Sequence, residues 1–255
     1  MKGKLQRRRA HLLKELSERR KGGDAPAGSE AADEIAAFEK RLAKCDADIG
    51  ENADGNFPGI RVLEALSATG LRSIRYAQEI PEIKTILAND ILPKAYQSIA
   101  RNIEFNNLDP KRVIASNADA AALMFNSRKP EDQFDVIDLD PYGAPTLFLD
   151  AAVQAVKSGG MLLVTCTDMA DLCGNTPETA WAKYGSTAMK SKFCKEVALR
   201  TILSSLASHA ARYGRFIEPL VSLSLDFYIR VAVRVKESRS GVKQMPTKLS
   251  MVYKG

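Results

Sequence analysis

From Ile60 onwards the chain switches repeatedly between two hydrophobic patterns, and this switching limits its folds more than any other feature. Apolar runs at residues 61–66, 84–89, 112–115, 135–139 and 161–166 have the length and content of buried strands. Stretches with helical spacing lie among them. Leu71, Ile74 and Ala77 mark one over residues 71–79, and Ala95, Ile99 and Ile103 mark another over 93–106. Residues 146–156 form a third, with Gly159-Gly160 as its stop. This order implies a parallel sheet with right-handed crossovers. Residues 190–213 read as a long helix with Ala198, Ile202, Leu206 and Ala210 as its stripe. Residues 215–225 and 227–235 read as an antiparallel pair hinged at Asp226. The expected fold is α/β, a mostly parallel seven-stranded sheet with an antiparallel end.

The chain outside that pattern is polar. Residues 1–21 carry a basic cluster with a thin leucine stripe, residues 22–32 have linker composition, and 33–44 suit one short helix. The cluster suits either a solvated segment or a nucleic-acid arm or nuclear address. The expected organisation is a basic, flexible extension over 1–59, a catalytic domain over 60–240 and a polar tail over 241–255 with one weak β pattern. A formal net charge of +6 is compatible with a phosphate-bearing partner. The four cysteines, Cys45, Cys166, Cys173 and Cys194, have no metal-ligand spacing and read as reduced thiols. No metal site is expected. No apolar run approaches the roughly 18 residues of a membrane span. With only His11 and His209, both far in sequence from the acidic strand ends, a histidine base is disfavoured.

In parallel sheets, ligands bind beyond the carboxyl ends of the strands, where strand order reverses. Those ends here carry Glu64 with the small-residue loop Ser67-Ala68-Thr69-Gly70, then Asp90, Asp119, and Asp138 with Asp140. The loop lets backbone approach a ligand in front of a helix N-terminus. It lacks the three glycines of a dinucleotide loop, so a pyrophosphate is not favoured. Asp90 stands where ribose hydroxyls are usually held, and Asp119 where an adenine edge would lie. Together they suggest a nucleoside without a pyrophosphate, such as S-adenosyl-L-methionine. Taken singly, Asp90 and Asp119 equally suit helix N-caps.

Residues 134–145 read F-D-V-I-D-L-D-P-Y-G-A-P. Pro141 ends the strand and Gly143 permits the turn. The resulting corner presents the Asp140 carboxylate beside the Tyr142 ring, a pair suited to a planar, amine-bearing substrate. The alternative is a helix-capping Asp140 and a packing Tyr142.

These residues resemble the tRNA guanine-26 N2-dimethyltransferases. The resembling blocks are V-L-E-A-L-S-A-T-G-L-R-S-I-R-Y at 62–76, A-N-D at 88–90, residues 134–145, L-D-A-A-V-Q-A-V at 149–156 and T-C-T-D-M-A at 165–170. K-Y-G at 183–185 and the run 215–234, with its D-F-Y-I-R-V, extend the likeness. The resemblance implies a class I S-adenosylmethionine-dependent methyltransferase, Rossmann-like in fold, that methylates the exocyclic N2 of guanine in tRNA. It implies cofactor contacts at Arg72, Asp90, Asp119 and Ala120 and a catalytic carboxylate at Asp140. Glu64, Ser67, Gly70 and Asp138 complete the expected cofactor site, and Pro141 and Tyr142 the catalytic corner. Lys183, Lys190, Lys192, Lys195 and Arg200 suit either phosphates or a solvated helix face. The family's N-R-D segment is not found in residues 1–59, and its C-terminal tRNA-gripping domain has no counterpart before Gly255. The expectation is a catalytic domain truncated at both ends, active or else binding without turnover. A nuclear or mitochondrial location follows from the basic segment and the family's habits.

Overall fold

The structure, a computed structural model, describes residues 59–253 and, before them, His11, Leu13, Lys14, Ala36, Ala37 and Glu39. Those six N-terminal positions are helical and exposed. The linker expected over 22–32 lies outside the described residues, as do the remaining positions expected to be helical over 1–21 and 33–44. The unit that begins at Gly59 is described by itself.

Seven strands form one sheet: β1 (Ile60–Glu64), β2 (Ile83–Asn89), β3 (Val113–Ser116), β4 (Phe134–Leu139), β5 (Val156–Cys166), β6 (Arg215–Leu225) and β7 (Tyr228–Glu237). Their order is β3-β2-β1-β4-β5-β7-β6. The first five run parallel, and β7 lies antiparallel to both β5 and β6. This is the expected sheet, antiparallel end included. The helices α1 (Leu71–Glu79), α2 (Pro93–Phe105), α3 (Ala120–Asn126) and α4 (Thr146–Ala155) follow the first four strands in turn. Short α5 (Met169–Leu172) and α6 (Pro177–Tyr184) precede α7 (Cys194–Ala211).

Side chains alternate across a pleated strand, so successive residues of β1 and β4 feed different cores. Val62 and Val136 pack with Ala77, Ile99 and Ile103 of α1 and α2. Leu63 and Ile137 belong to a larger core with Met124 of α3, Leu149 of α4, and Ile202 and Leu206 of α7. With helices on both faces, the strands are apolar on both sides, as the sequence shows.

Two expectations are corrected. Gly159-Gly160 does not end α4, which stops at Ala155; the glycines lie inside β5. The β4–β5 register jumps from Phe134↔Val156 to Val136↔Met161, and Gly160 fits the jump because a Cβ there would stand 2.7 Å from the Asp135 carbonyl oxygen. A glycine pair placed after a helical stripe looks the same whether it ends the helix or makes a bulge. Among its described residues the tail carries no strand: Ser238 caps α8 (Arg239–Gln244) by accepting from the Gly241 N–H at 3.1 Å, and a 3₁₀ turn, Met245–Lys248, follows.

Strand order reverses between β1 and β4, so the crevice opens at their carboxyl ends. Gly70 is the N-cap of α1 at this point, with φ of +74°. A side chain there is strained, and its Cβ would stand 3.2 Å from Ile99 Cγ2. Gly70→Ala should lower the free energy of unfolding by about 1–2 kcal/mol. An unchanged urea midpoint would show that the loop relaxes into another conformation.

Candidate active site

Glu64 and Asp138 are direct register partners at the reversal point. Both are buried and both turn inward. Glu64 Oε2 accepts from the Ser73 N–H at 3.0 Å and from the Ser73 hydroxyl, tying β1 to α1. Burial pushes the Glu64 carboxyl up to about 7, against the opposing pull of the Ser73 hydroxyl and Arg72. Asp138 has no exposed surface. It accepts from Tyr76 Oη at 2.8 Å and Arg72 Nη1 at 3.2 Å, and Arg230 Nη2 stands 2.9 Å from each of its oxygens. The structure thus places Glu64 and Asp138 beneath the crevice, each bonded to residues of α1. Sequence alone does not distinguish an acid that faces a crevice from one that braces it from beneath.

Asp140 stands one step above this layer. Its Oδ2 accepts from Arg72 Nη2. Its side chain keeps 28% exposure, and among the described residues nothing is bonded to Oδ1. Burial weighs against the Arg72 charge, but Asp138, Asp140 and Glu64 outweigh it and hold the guanidinium above its ordinary pKa. The corner is clasped by the residue that follows β5: the Gly143 N–H donates to Thr167 Oγ1 at 2.6 Å, and the Thr167 N–H donates to the Gly143 carbonyl at 3.0 Å. Pro141 is buried and Tyr142 is fully exposed. The bland alternatives fail here, because α4 is capped at Pro145 without a side chain and the Tyr142 ring packs on nothing.

On the other side of the reversal, Ser67–Gly70 closes as a tight turn, with the Gly70 N–H donating to the Ser67 carbonyl at 2.7 Å. Ala68 and Thr69 are exposed at its tip. Asp90 Oδ2 accepts from the Ala68 N–H at 2.9 Å, and its Oδ1 from the Leu92 N–H at 3.0 Å. Asp119 caps α3 through the Ala122 N–H at 2.8 Å, and Ala120 is buried behind it. Asp119 is thus a helix cap, whereas Asp90 ties the Ser67–Gly70 loop to the turn that precedes α2, whose N-cap is Leu92. Each carboxylate has about four acceptor sites, so neither is exhausted. Asn89 knits these ends together: its amide donates to the Ala65 and Ala118 carbonyls at 3.1 and 2.9 Å, and its oxygen accepts from the Ala118 N–H. The hydrogen bonds join Ser67, Gly70 and Asp90 on one side and Arg72, Asp138 and Asp140 on the other. A small-residue loop with acceptors along its rim fits a nucleoside bearing hydroxyl and amine donors.

Lys183 is not placed to meet phosphate. Its Nζ lies 2.6 Å from Asp171 and 3.2 Å from Asp168, and Tyr184 Oη donates to Asp168 at 2.8 Å. Arg200 pairs with Glu196, while Lys190, Lys192 and Lys195 are exposed. Sequence reasoning missed Ser73, Tyr76, Thr167 and Arg230. Arg230 had a legible signal, an arginine set in the apolar alternation of β7.

Comparison with known proteins narrows the reading. The profile of a family described as N2,N2-dimethylguanosine tRNA methyltransferase matches residues 8–255. The chain belongs to this family. A "tRNA (guanine(26)-N(2))-dimethyltransferase" of Drosophila melanogaster is 52% identical over 195 residues, covering 76% of this chain and 34% of that protein. A Saccharomyces cerevisiae relative with the same name, qualified as mitochondrial, is 48% identical over 205 residues, covering 79% and 36%. The chain thus spans about a third of the length of these curated relatives. A solved structure of Trm1 from Pyrococcus horikoshii with S-adenosyl-L-methionine aligns with a TM-score of 0.69 at 34% identity, covering 72% of this chain and 52% of that one. The fold is that of the class I methyltransferases.

The buried Glu64 gives a pH test. Native Glu64 keeps its proton up to about pH 7, whereas the unfolded chain releases it near 4.5. Stability therefore falls as pH rises through that window, by roughly 3 kcal/mol at 1.36 kcal/mol per unit. Urea unfolding at pH 5 and pH 8 should show a smaller fall for Glu64→Gln than for the unaltered chain. Equal falls would mean that Glu64 is ionised throughout.

Proposed function

We propose that this site transfers methyl groups from S-adenosyl-L-methionine to the exocyclic N2 of guanine-26 in tRNA. One observation carries the reading: a clasped corner sets the Asp140 carboxylate beside a fully exposed Tyr142 ring, at the strand ends shared with the Ser67–Gly70 loop. The donor and acceptor set of the loop and the names of the relatives both support the cofactor.

Ser67, Gly70, Asp90, Asp119 and Ala120 would hold the cofactor along the loop, with Arg72 at its inner end. When bound, it supplies an electrophilic methyl group on a sulfonium. The guanine amine is a poor nucleophile because its lone pair is drawn into the ring. Tyr142 stacks on the extruded base, offsetting part of the few kcal/mol that unstacking costs. Asp140 Oδ1 accepts a hydrogen bond from the amine, and the Pro141 carbonyl takes the second hydrogen. Holding the amine in line lowers the barrier by several kcal/mol on general grounds. Asp140 would take the proton that the amine loses when it accepts the methyl group. The exposed Lys190, Lys192 and Lys195 supply positive charge for the tRNA backbone. The basic residues 1–21, together with the mitochondrial name of the yeast relative, support a nuclear or mitochondrial location.

With unmodified tRNA and labelled cofactor, Asp140→Asn should keep cofactor binding and lose methyl transfer by about two orders of magnitude or more. Turnover equal to the unaltered chain would remove Asp140 from the chemistry. Asp90→Ala should weaken cofactor binding in calorimetry, and equal affinity would leave Asp90 with its loop bonds alone.

A further inference from the structure

Arg230 lies on β7, in the antiparallel part of the sheet, 92 residues from the aspartate it contacts. It faces Thr165 across the β5–β7 ladder, and its Nη1 donates to Thr165 Oγ1 at 2.5 Å. Its Nη2 stands 2.9 Å from both oxygens of the fully buried Asp138. A carboxylate so placed needs close compensation, because an unpaired buried charge costs several kcal/mol. Two guanidinium groups and the Tyr76 hydroxyl supply it. Since Arg230 covers both Asp138 oxygens, Arg72 commits only Nη1 to Asp138, at 3.2 Å, and extends Nη2 to Asp140. Glu64 stands farther off, with Oε1 4.0 Å from Arg72 Nη1. A guanidinium fork binds a carboxylate best with both prongs. Without Arg230, the buried Asp138 is the stronger claimant on Arg72, and Asp140 is the one let go.

We propose that Arg230 is a positioning residue for methyl transfer: by satisfying Asp138, it leaves one prong of Arg72 to orient Asp140. The proposal rests on the function given above, but its structural half stands apart from it. Among the described residues Arg230 makes no hydrogen bond or ion pair with the corner or the loop, so its effect reaches Asp140 through Asp138 and Arg72.

Arg230→Met keeps the length of the side chain and removes its charge. At saturating cofactor, kcat on unmodified tRNA should fall about tenfold or more, with KM for tRNA within about threefold. Arg230→Lys should retain more turnover than Arg230→Met. Adding Asp138→Asn to Arg230→Met removes the buried charge, frees Arg72 for Asp140, and should restore most of kcat. A crystal structure of Arg230→Met should show Arg72 drawn from Asp140 onto Asp138. Unchanged kcat in Arg230→Met overturns the proposal. So does a raised KM at constant kcat, which would make Arg230 a phosphate contact, and so does an Arg72–Asp140 contact that survives the substitution. Should Arg230→Met not fold, the double variant decides: kcat near that of the unaltered chain supports the linkage, and a loss of about tenfold overturns it. If the unaltered chain transfers no methyl group, the functional reading fails, and the Arg230→Met structure still decides whether Arg230 governs Arg72.

Discussion

A carboxylate with no access to water lies under the middle of this site, and the surrounding architecture answers its charge. Asp138 draws Arg72 and Tyr76 from α1 and Arg230 from β7. Two elements distant in sequence are thereby fixed to one strand end. Replacing such a cluster with apolar groups often raises stability, so its presence points to a requirement other than stability. Here that requirement is orientation. The same Arg72 that neutralises Asp138 also reaches Asp140, the partly exposed carboxylate just beyond the end of this strand.

The rest of the crevice is held by backbone bonds of modest individual strength. Asn89 bridges the ends of β1 and β2 to the segment before α3, and Thr167 closes a two-bond clasp on Gly143. Each net hydrogen bond is worth about 1 kcal/mol. Their value lies in what they immobilise, a loop and a corner that face each other across the point where strand order reverses. Asp90 takes part by holding the loop and Asp119 as a cap, so the groups that shape the rim are the ones with acceptor capacity left for a ligand.

The sheet was legible because buried parallel strands and amphipathic helices have different periods, and residues 60–211 keep both clearly. The turn at β5 was misread because Gly159-Gly160 fits a helix stop as well as a bulge. The helices α3, α5 and α6 were missed; α5 and α6 are too short to show a period. The corner that carries Asp140 and Tyr142 was readable from local chemistry: a proline ends the strand and a glycine turns it. The burial of Glu64 and Asp138 was not readable, for the opposite reason. Their role depends on Ser73, Tyr76 and Arg230, whose proximity arises only from the fold. Lys183 likewise looked like a surface cation until α6 set it against Asp168 and Asp171.

Tyr142 and Asp140 stand two residues apart and differ in how far each is free to vary. The Tyr142 ring rests on no neighbour, so the folded chain gains nothing from its packing. Its shape and ring electronics can drift toward a better grip on a flat partner with little penalty to the scaffold. Asp140 has no such latitude, since its orientation is shared with charges sealed below it. Variation in affinity and constancy in chemistry are thus assigned to neighbouring positions on one short turn.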